Sequence, residues 1–166
     1  MDKALPFKIS VLVFVEKEDK SLLLMKRNKQ PNQGFYSPIG GKLEMAIGES
    51  PHQCAKREIF EEIALDVDIS SLHLFAMVSE KAYEQDTHWL MFLFTSKVKI
   101  DSLPEDIDEG SFSFFSRSDI ENLKIPETDR KILWKLYDEY KEGFASVYID
   151  CSNPENMDIE IYDARR

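Results

Sequence analysis

Residues 7–15 (Phe-Lys-Ile-Ser-Val-Leu-Val-Phe-Val) are dense in β-branched and aromatic side chains and predict a strand. The charged stretch 16–20 reads as a turn, and the apolar run 22–25 as a second strand, the other arm of a hairpin. Residues 28–34 (Asn-Lys-Gln-Pro-Asn-Gln-Gly) are turn-forming and lead through 35–39 to the pair Gly40-Gly41. Residues 50–63 carry the clearest helical signal. Ser50 can cap the helix, Pro51 suits its first position, and Gln53 completes a Ser-x-x-Gln capping box. Ala55, Ile59 and Ile63 recur at four-residue spacing and form its buried stripe. Strands are expected at 71–78, 88–97 and 112–115, a short helix at 119–123 and a longer one at 127–142. In the longer helix Thr128 and Asp129 are plausible caps, and Ile132, Leu133, Leu136, Tyr137 and Tyr140 make the apolar face. Two short strands, 145–150 and 159–162, close the chain. No repeat or low-complexity segment interrupts this order, which is that of a mixed α/β domain.

The 166 residues suit a single domain, and 43% hydrophobic content suits a packed one. A formal net charge of −10 argues against nonspecific binding to nucleic acid polymers or anionic membranes, both of which rely on basic patches. The apolar runs 11–15 and 89–94 fall far short of the about 18 residues of a membrane helix. Residues 1–6 lack an apolar signal core. Cys54 and Cys151 stand far apart without metal-ligand spacing, so reduced thiols in a cytoplasmic protein are the expectation.

Glu58, Glu61 and Glu62 fall at i, i+3 and i+4 of the predicted helix, within an arc of roughly 100°. Like charges so spaced cost a helix a few tenths of a kcal/mol per pair. A solvated acidic face is one explanation; a binding place for a hard divalent cation, which takes oxygen ligands, is the other. The preceding residues favour the second. They are Gly40-Gly41-Lys42-Leu43-Glu44, then Gly48-Glu49, and after the helix start Arg57-Glu58-Ile59-Phe60-Glu61-Glu62.

Together these residues resemble the Nudix box: Gly, five residues, Glu, seven residues, Arg-Glu, aliphatic, any, Glu-Glu, any, Gly, aliphatic. From Glu49 to Glu62 the match is complete, and Leu65 fills the last aliphatic position. Gly41 is followed by seven residues before Glu49, a two-residue insertion, and Ala64 stands where the last glycine belongs. Ile39 directly precedes the glycines, with Pro38 one place earlier than in many relatives.

The resemblance implies a Nudix-type α/β/α sandwich with a mixed β-sheet over residues 1–142, with residues 143–166 a C-terminal β extension packed on the same domain. It implies Mg2+-dependent (or Mn2+-dependent) hydrolysis of a nucleoside diphosphate linked to another group, X. Glu58, Glu61 and Glu62, with the Gly40 carbonyl, are the implied metal ligands. Arg57 and Glu49 are an implied ion pair fixing loop against helix. Glu58, Glu62 or a loop carboxylate would take the proton from water; of Asp106, Asp108 and Glu109, the last is the favoured extra ligand or base. Lys42 and Arg27 would help to offset substrate charge.

Substrate contacts are expected from Arg27, Tyr36, Lys42, Tyr83 and Trp89, with Phe112 a further stacking candidate and Phe92 and Phe94 core. His88 could be a ligand contact or a surface histidine; Asn32 and Gln33 could reach a purine edge or serve a turn. Cys54 reads as a small buried residue, and Arg130 could reach a phosphate. The first substrate reading is a nucleoside triphosphate, oxidised purine nucleotides among the options; an ADP-ribose or NADH-type dinucleotide is the second. A catalytically silent nucleotide-binding domain is the rival, against which stands the full set of helical glutamates. The last two strands could add to a sheet edge or pair across a homodimer.

Overall fold

The computed structural model describes residues 4–166; residues 1–3, the start of the segment read for a leader, lie outside the described residues. The strands are β1 (Phe7–Phe14), β2 (Leu22–Arg27), β3 (Tyr36–Ser37), β4 (Ile39–Lys42), β5 (Leu72–Tyr83), β6 (Thr87–Ser96), β7 (Gly110–Phe115), β8 (Phe144–Asp150) and β9 (Asp158–Arg165). The helices are α1 (Pro51–Ile63), α2 (Arg117–Ile120) and α3 (Trp134–Tyr140); a π-helical turn, Asp129–Leu133, leads into α3. Six strands form a mixed sheet in the order β4-β1-β6-β5-β8-β9, in which β1/β6 and β5/β8 are parallel. A second, antiparallel sheet has the order β3-β2-β7.

The unbroken apolar runs of β1 and β2 follow from burial on both faces. Val11, Val13, Leu23 and Met25 join Ala55 and Ile59 of α1 in one core. Phe14, Leu22 and Leu24 join Trp134, Leu136 and Tyr137 of α3 in the other. Helices thus cover opposite sides of the strands, giving an α/β/α sandwich. In the second core Phe14 meets Phe75 and Trp134 edge-on at 5.4 and 5.1 Å and stacks on Tyr137 at 5.0 Å. Such pairs add about 0.5–1.5 kcal/mol each beyond their buried area.

Several expectations need correction. The hairpin between β1 and β2 exists only at its stem, where Glu16 bridges Leu22; the strands then part into different sheets. The segment 35–39 is likewise split at Pro38, with β3 in the small sheet and β4 in the large one. Proline has no N–H to continue a ladder, so the chain changes sheets there. The strand expected at 71–78 runs on to Tyr83, and the last helix opens as a π turn with no cap bond from Thr128. The C-terminal strands extend the large sheet, β8 beside β5 and β9 outside it.

No helix among the described residues is long and apolar enough to cross a membrane. Both cysteines are buried free thiols.

Candidate active site

Helix α1 begins as its capping pattern requires: Gln53 N–H donates to Ser50 Oγ at 3.2 Å, and Ser50 N–H donates to Gln53 Oε1 at 2.9 Å. It ends at Ala64, whose N–H donates to the Phe60 carbonyl and whose φ of 55° is left-handed. That is the conformation glycine adopts without steric cost, and it explains why a glycine suits this place. The two-residue insertion is absorbed by a short 3-10 turn, Met45–Ile47, closed by Gly48 at φ 63°.

Arg57 organises the loop ahead of α1. Its Nε and Nη2 donate to the two oxygens of Glu49 at 2.7 and 2.9 Å, and Nη2 also reaches the Lys42 carbonyl at 3.1 Å. Glu49 accepts a further bond from the Glu44 N–H at 2.9 Å. The Arg57 hydrogen bonds hold the Glu49 carboxyl down at about 2, against the opposing effect of burial. Arg57 Nη1 bridges Glu58 at 2.9 Å and Glu61 at 3.1 Å.

The three helical carboxylates differ in their surroundings. Glu61 is exposed. Glu58 is buried, and loss of solvent pushes its carboxyl up to about 7 despite Arg57. Burial, then the charges of Glu58 and Glu109, pushes Glu62 up to about 8, while the Gly40 backbone and Arg27 pull the other way. Glu62 Oε2 is buried without a hydrogen-bond partner. Glu62 thus lies beside the Gly40 backbone and within electrostatic reach of Glu58, Glu109 and Arg27, although among the described residues no three acidic, His or Cys side chains form a coordination sphere. Gly41 is required by this packing, since a Cβ there would overlap the Glu58 carboxylate.

Beside these groups opens a cavity of about 230 Å³. Arg27, Tyr36, Lys42, Tyr83 and Trp89 all line it, as does Asn32. Gln33, Phe112 and His88 do not: Phe112 is core, and His88 Nδ1 accepts the Ala82 N–H at 3.0 Å. Phe94 is core as expected, and Cys54 is fully buried against the Gly41 carbonyl. Arg130 is spent on the backbone carbonyls of Glu121 and Leu123, away from the cavity, so the expectation that it reaches a phosphate fails. Asp106 accepts the Phe112 N–H, a turn contact.

Two acids in the cavity wall were not expected there: Glu80 on β5, which carried no sequence signal, and Asp129 at the π turn, expected only as a helix cap. Glu80 gets there with Tyr83 because of a bulge. In a regular strand residues three apart face opposite sides. Here the register slips between Glu80, opposite Trp89, and Tyr83, opposite Thr87, so both side chains enter one cavity. Ala82, at φ 53°, sits in the bulge, and its N–H is the one that His88 satisfies.

The NUDIX domain family model matches residues 6–137. Among curated proteins, the ADP-ribose pyrophosphatase of Methanocaldococcus jannaschii is 29% identical over 135 residues, 81% of this chain and 75% of that protein. Among solved structures, the MutT protein of Bacillus halodurans is similar with a TM-score of 0.73 at 18% identity, covering 95% of this chain and 99% of that one. The NUDIX domain of Shewanella oneidensis NrtR, solved with ADP ribose, gives 0.63 at 15% identity, over 82% and 88% of the two chains.

Proposed function

The chain belongs to the NUDIX family, and from that premise we propose that it hydrolyses a phosphoanhydride bond of a nucleoside diphosphate linked to a further group. The observation that carries the proposal is the buried, unpartnered Oε2 of Glu62, within electrostatic reach of Glu58 and Glu109, on a helix packed against the strand whose residues 40–42 line a cavity with Arg27. A surface bearing ten net negative charges has little other use for a pocket combining acids with two cations.

Glu58, Glu61 and Glu62, with the Gly40 carbonyl and Glu109, would hold a divalent cation. The unpartnered Glu62 Oε2 supports that assignment, because a buried oxygen without a donor is the kind of ligand a hard cation satisfies. Mg2+ or Mn2+ bound there supplies charge neutralisation at the phosphates and acidifies water. The protein's own residues do the rest. Arg57 and Glu49 tie the loop ahead of α1 to the helix, while pairing with β1 holds Gly40 and Gly41 in β4. Arg27 and Lys42 oppose the substrate's charge at contact range, where salt screens little. Glu58, Glu62 or Glu109 accepts the proton of the attacking water.

The sequence relative, an ADP-ribose pyrophosphatase, supports the ADP-ribose or NADH-type reading over the triphosphate. A panel of nucleoside triphosphates, ADP-ribose and NADH, incubated with Mg2+ with and without chelator and analysed for both products, separates them. Cleavage of none of these, with the protein folded, would leave the silent-domain reading in its place.

A further inference from the structure

Glu109, whose charge Glu62 feels, comes from a different part of the chain, and a tight turn sets its place. Asp108 and Glu109 are the two central residues of that turn, in which Ile107 and Gly110 exchange both backbone hydrogen bonds at 3.0 and 3.1 Å. On its inner side the turn is tied to β2. The Glu109 carbonyl accepts the Asn28 N–H at 2.7 Å, and Gly110 stands opposite Arg27 in the ladder.

The outer side is the edge of the small sheet, which β7 forms. Neighbouring residues along a strand point their backbone groups to opposite sides, so with Glu109 bonded towards β2, Gly110 and Phe112 point theirs outwards. Ile107 takes the groups of Gly110. The Phe112 N–H donates to Asp106 Oδ1 at 3.3 Å. Asp106 thus fastens the incoming arm of the turn to β7 one step beyond the Ile107–Gly110 pair. It does not line the cavity, so its effect on a substrate there passes through the turn. Removing its side chain leaves the β2–β7 ladder in place and frees only the arm that precedes Glu109.

We propose that Asp106 is a positioning residue, which by holding the Phe112 N–H keeps the Glu109 carboxylate within reach of Glu62. The proposal rests on the hydrolase reading above, in which Glu109 is a metal ligand or takes the proton from water.

Two measurements test it, on a side chain exposed enough for its variants to fold. The first is amide hydrogen exchange by NMR, without metal or nucleotide. Asp106→Ala is expected to speed exchange at Ile107, Gly110 and Phe112 at least about tenfold while the Asn28 amide on the inner side keeps its rate. Asp106→Asn, whose side-chain oxygen accepts the same bond, should exchange as the wild type does. Unchanged exchange in Asp106→Ala, or faster exchange at Asn28 as well, overturns the proposal. The second is a double-mutant cycle on the nucleotide that the wild type cleaves. Asp106→Ala should lower kcat about 10- to 100-fold with KM within about twofold, the scale of a reacting group displaced by about 1 Å. In a Glu109→Gln background the same change should cost less than about twofold. An equal loss in both backgrounds, or no loss in the first, overturns the proposal. Failure of the hydrolase reading shows separately, as a wild-type protein that cleaves no nucleotide, and the exchange rates then decide whether Asp106 holds the turn.

Discussion

The carboxylate of Glu58 fills the space that a Cβ on Gly41 would take. Strand β4 and helix α1 are therefore fitted to each other at Glu58. The atoms that a new methyl would meet belong to the end of a flexible side chain. Gly41→Ala should consequently displace Glu58 rather than unfold the domain. Turnover is expected to fall about 100-fold, the effect of misplacing a reacting group by about 1 Å. Steady-state kinetics beside a thermal melt within a few degrees of wild type checks this.

Ala64 ends α1 at φ 55°, where an L-residue is strained by about 1–2 kcal/mol. Ala64→Gly removes the strain but loosens the unfolded chain, which returns about 0.4–1 kcal/mol. A net gain of about 1 kcal/mol should raise the melting temperature by about 2–4 °C. Calorimetric melting of the two proteins measures it, and a fall would contradict the left-handed cap.

Glu49, held down at about 2 from its ordinary 4.5 by Arg57, couples stability to acid. A carboxyl more acidic in the folded than in the unfolded protein contributes fully above pH 4.5. That contribution is lost as pH falls towards 2. Glu49→Gln should thus melt well below wild type at pH 7, and the gap should close between pH 4.5 and 2. A gap independent of pH would mean that the carboxylate charge is not what Arg57 clasps.

His88 satisfies the backbone N–H of Ala82 in the β5 bulge. His88→Ala leaves that donor without its partner, at a cost of about 1–3 kcal/mol. Because the bulge aims Glu80 and Tyr83, the predicted kinetic signature is a raised KM with kcat little changed. A loss confined to kcat would place His88 in the chemistry instead.

How far these features could be read beforehand depended on the range of the interactions behind them. Helix α1 was legible to the residue, because Ser50, Pro51 and Gln53 set its start locally. The box residues were legible from spacing, and the five expected substrate contacts do share one cavity. The parting of β1 from β2 was not, since β2 finds its partner in the distant β7. Glu80 looks like any acid of an acidic chain, and Asp129 like a helix cap, until the sheet and the last helix bury them. Arg130 looks available until the carbonyls of Glu121 and Leu123 claim it.

The bulge in β5 brings Glu80 and Tyr83 into the cavity wall from a strand that the acidic helix does not supply. The shape of that wall therefore depends on β5, while Arg57, Glu58 and Glu62 depend on α1. A change confined to one short kink can thus remodel one side of the cavity and leave the carboxylate-bearing helix in place.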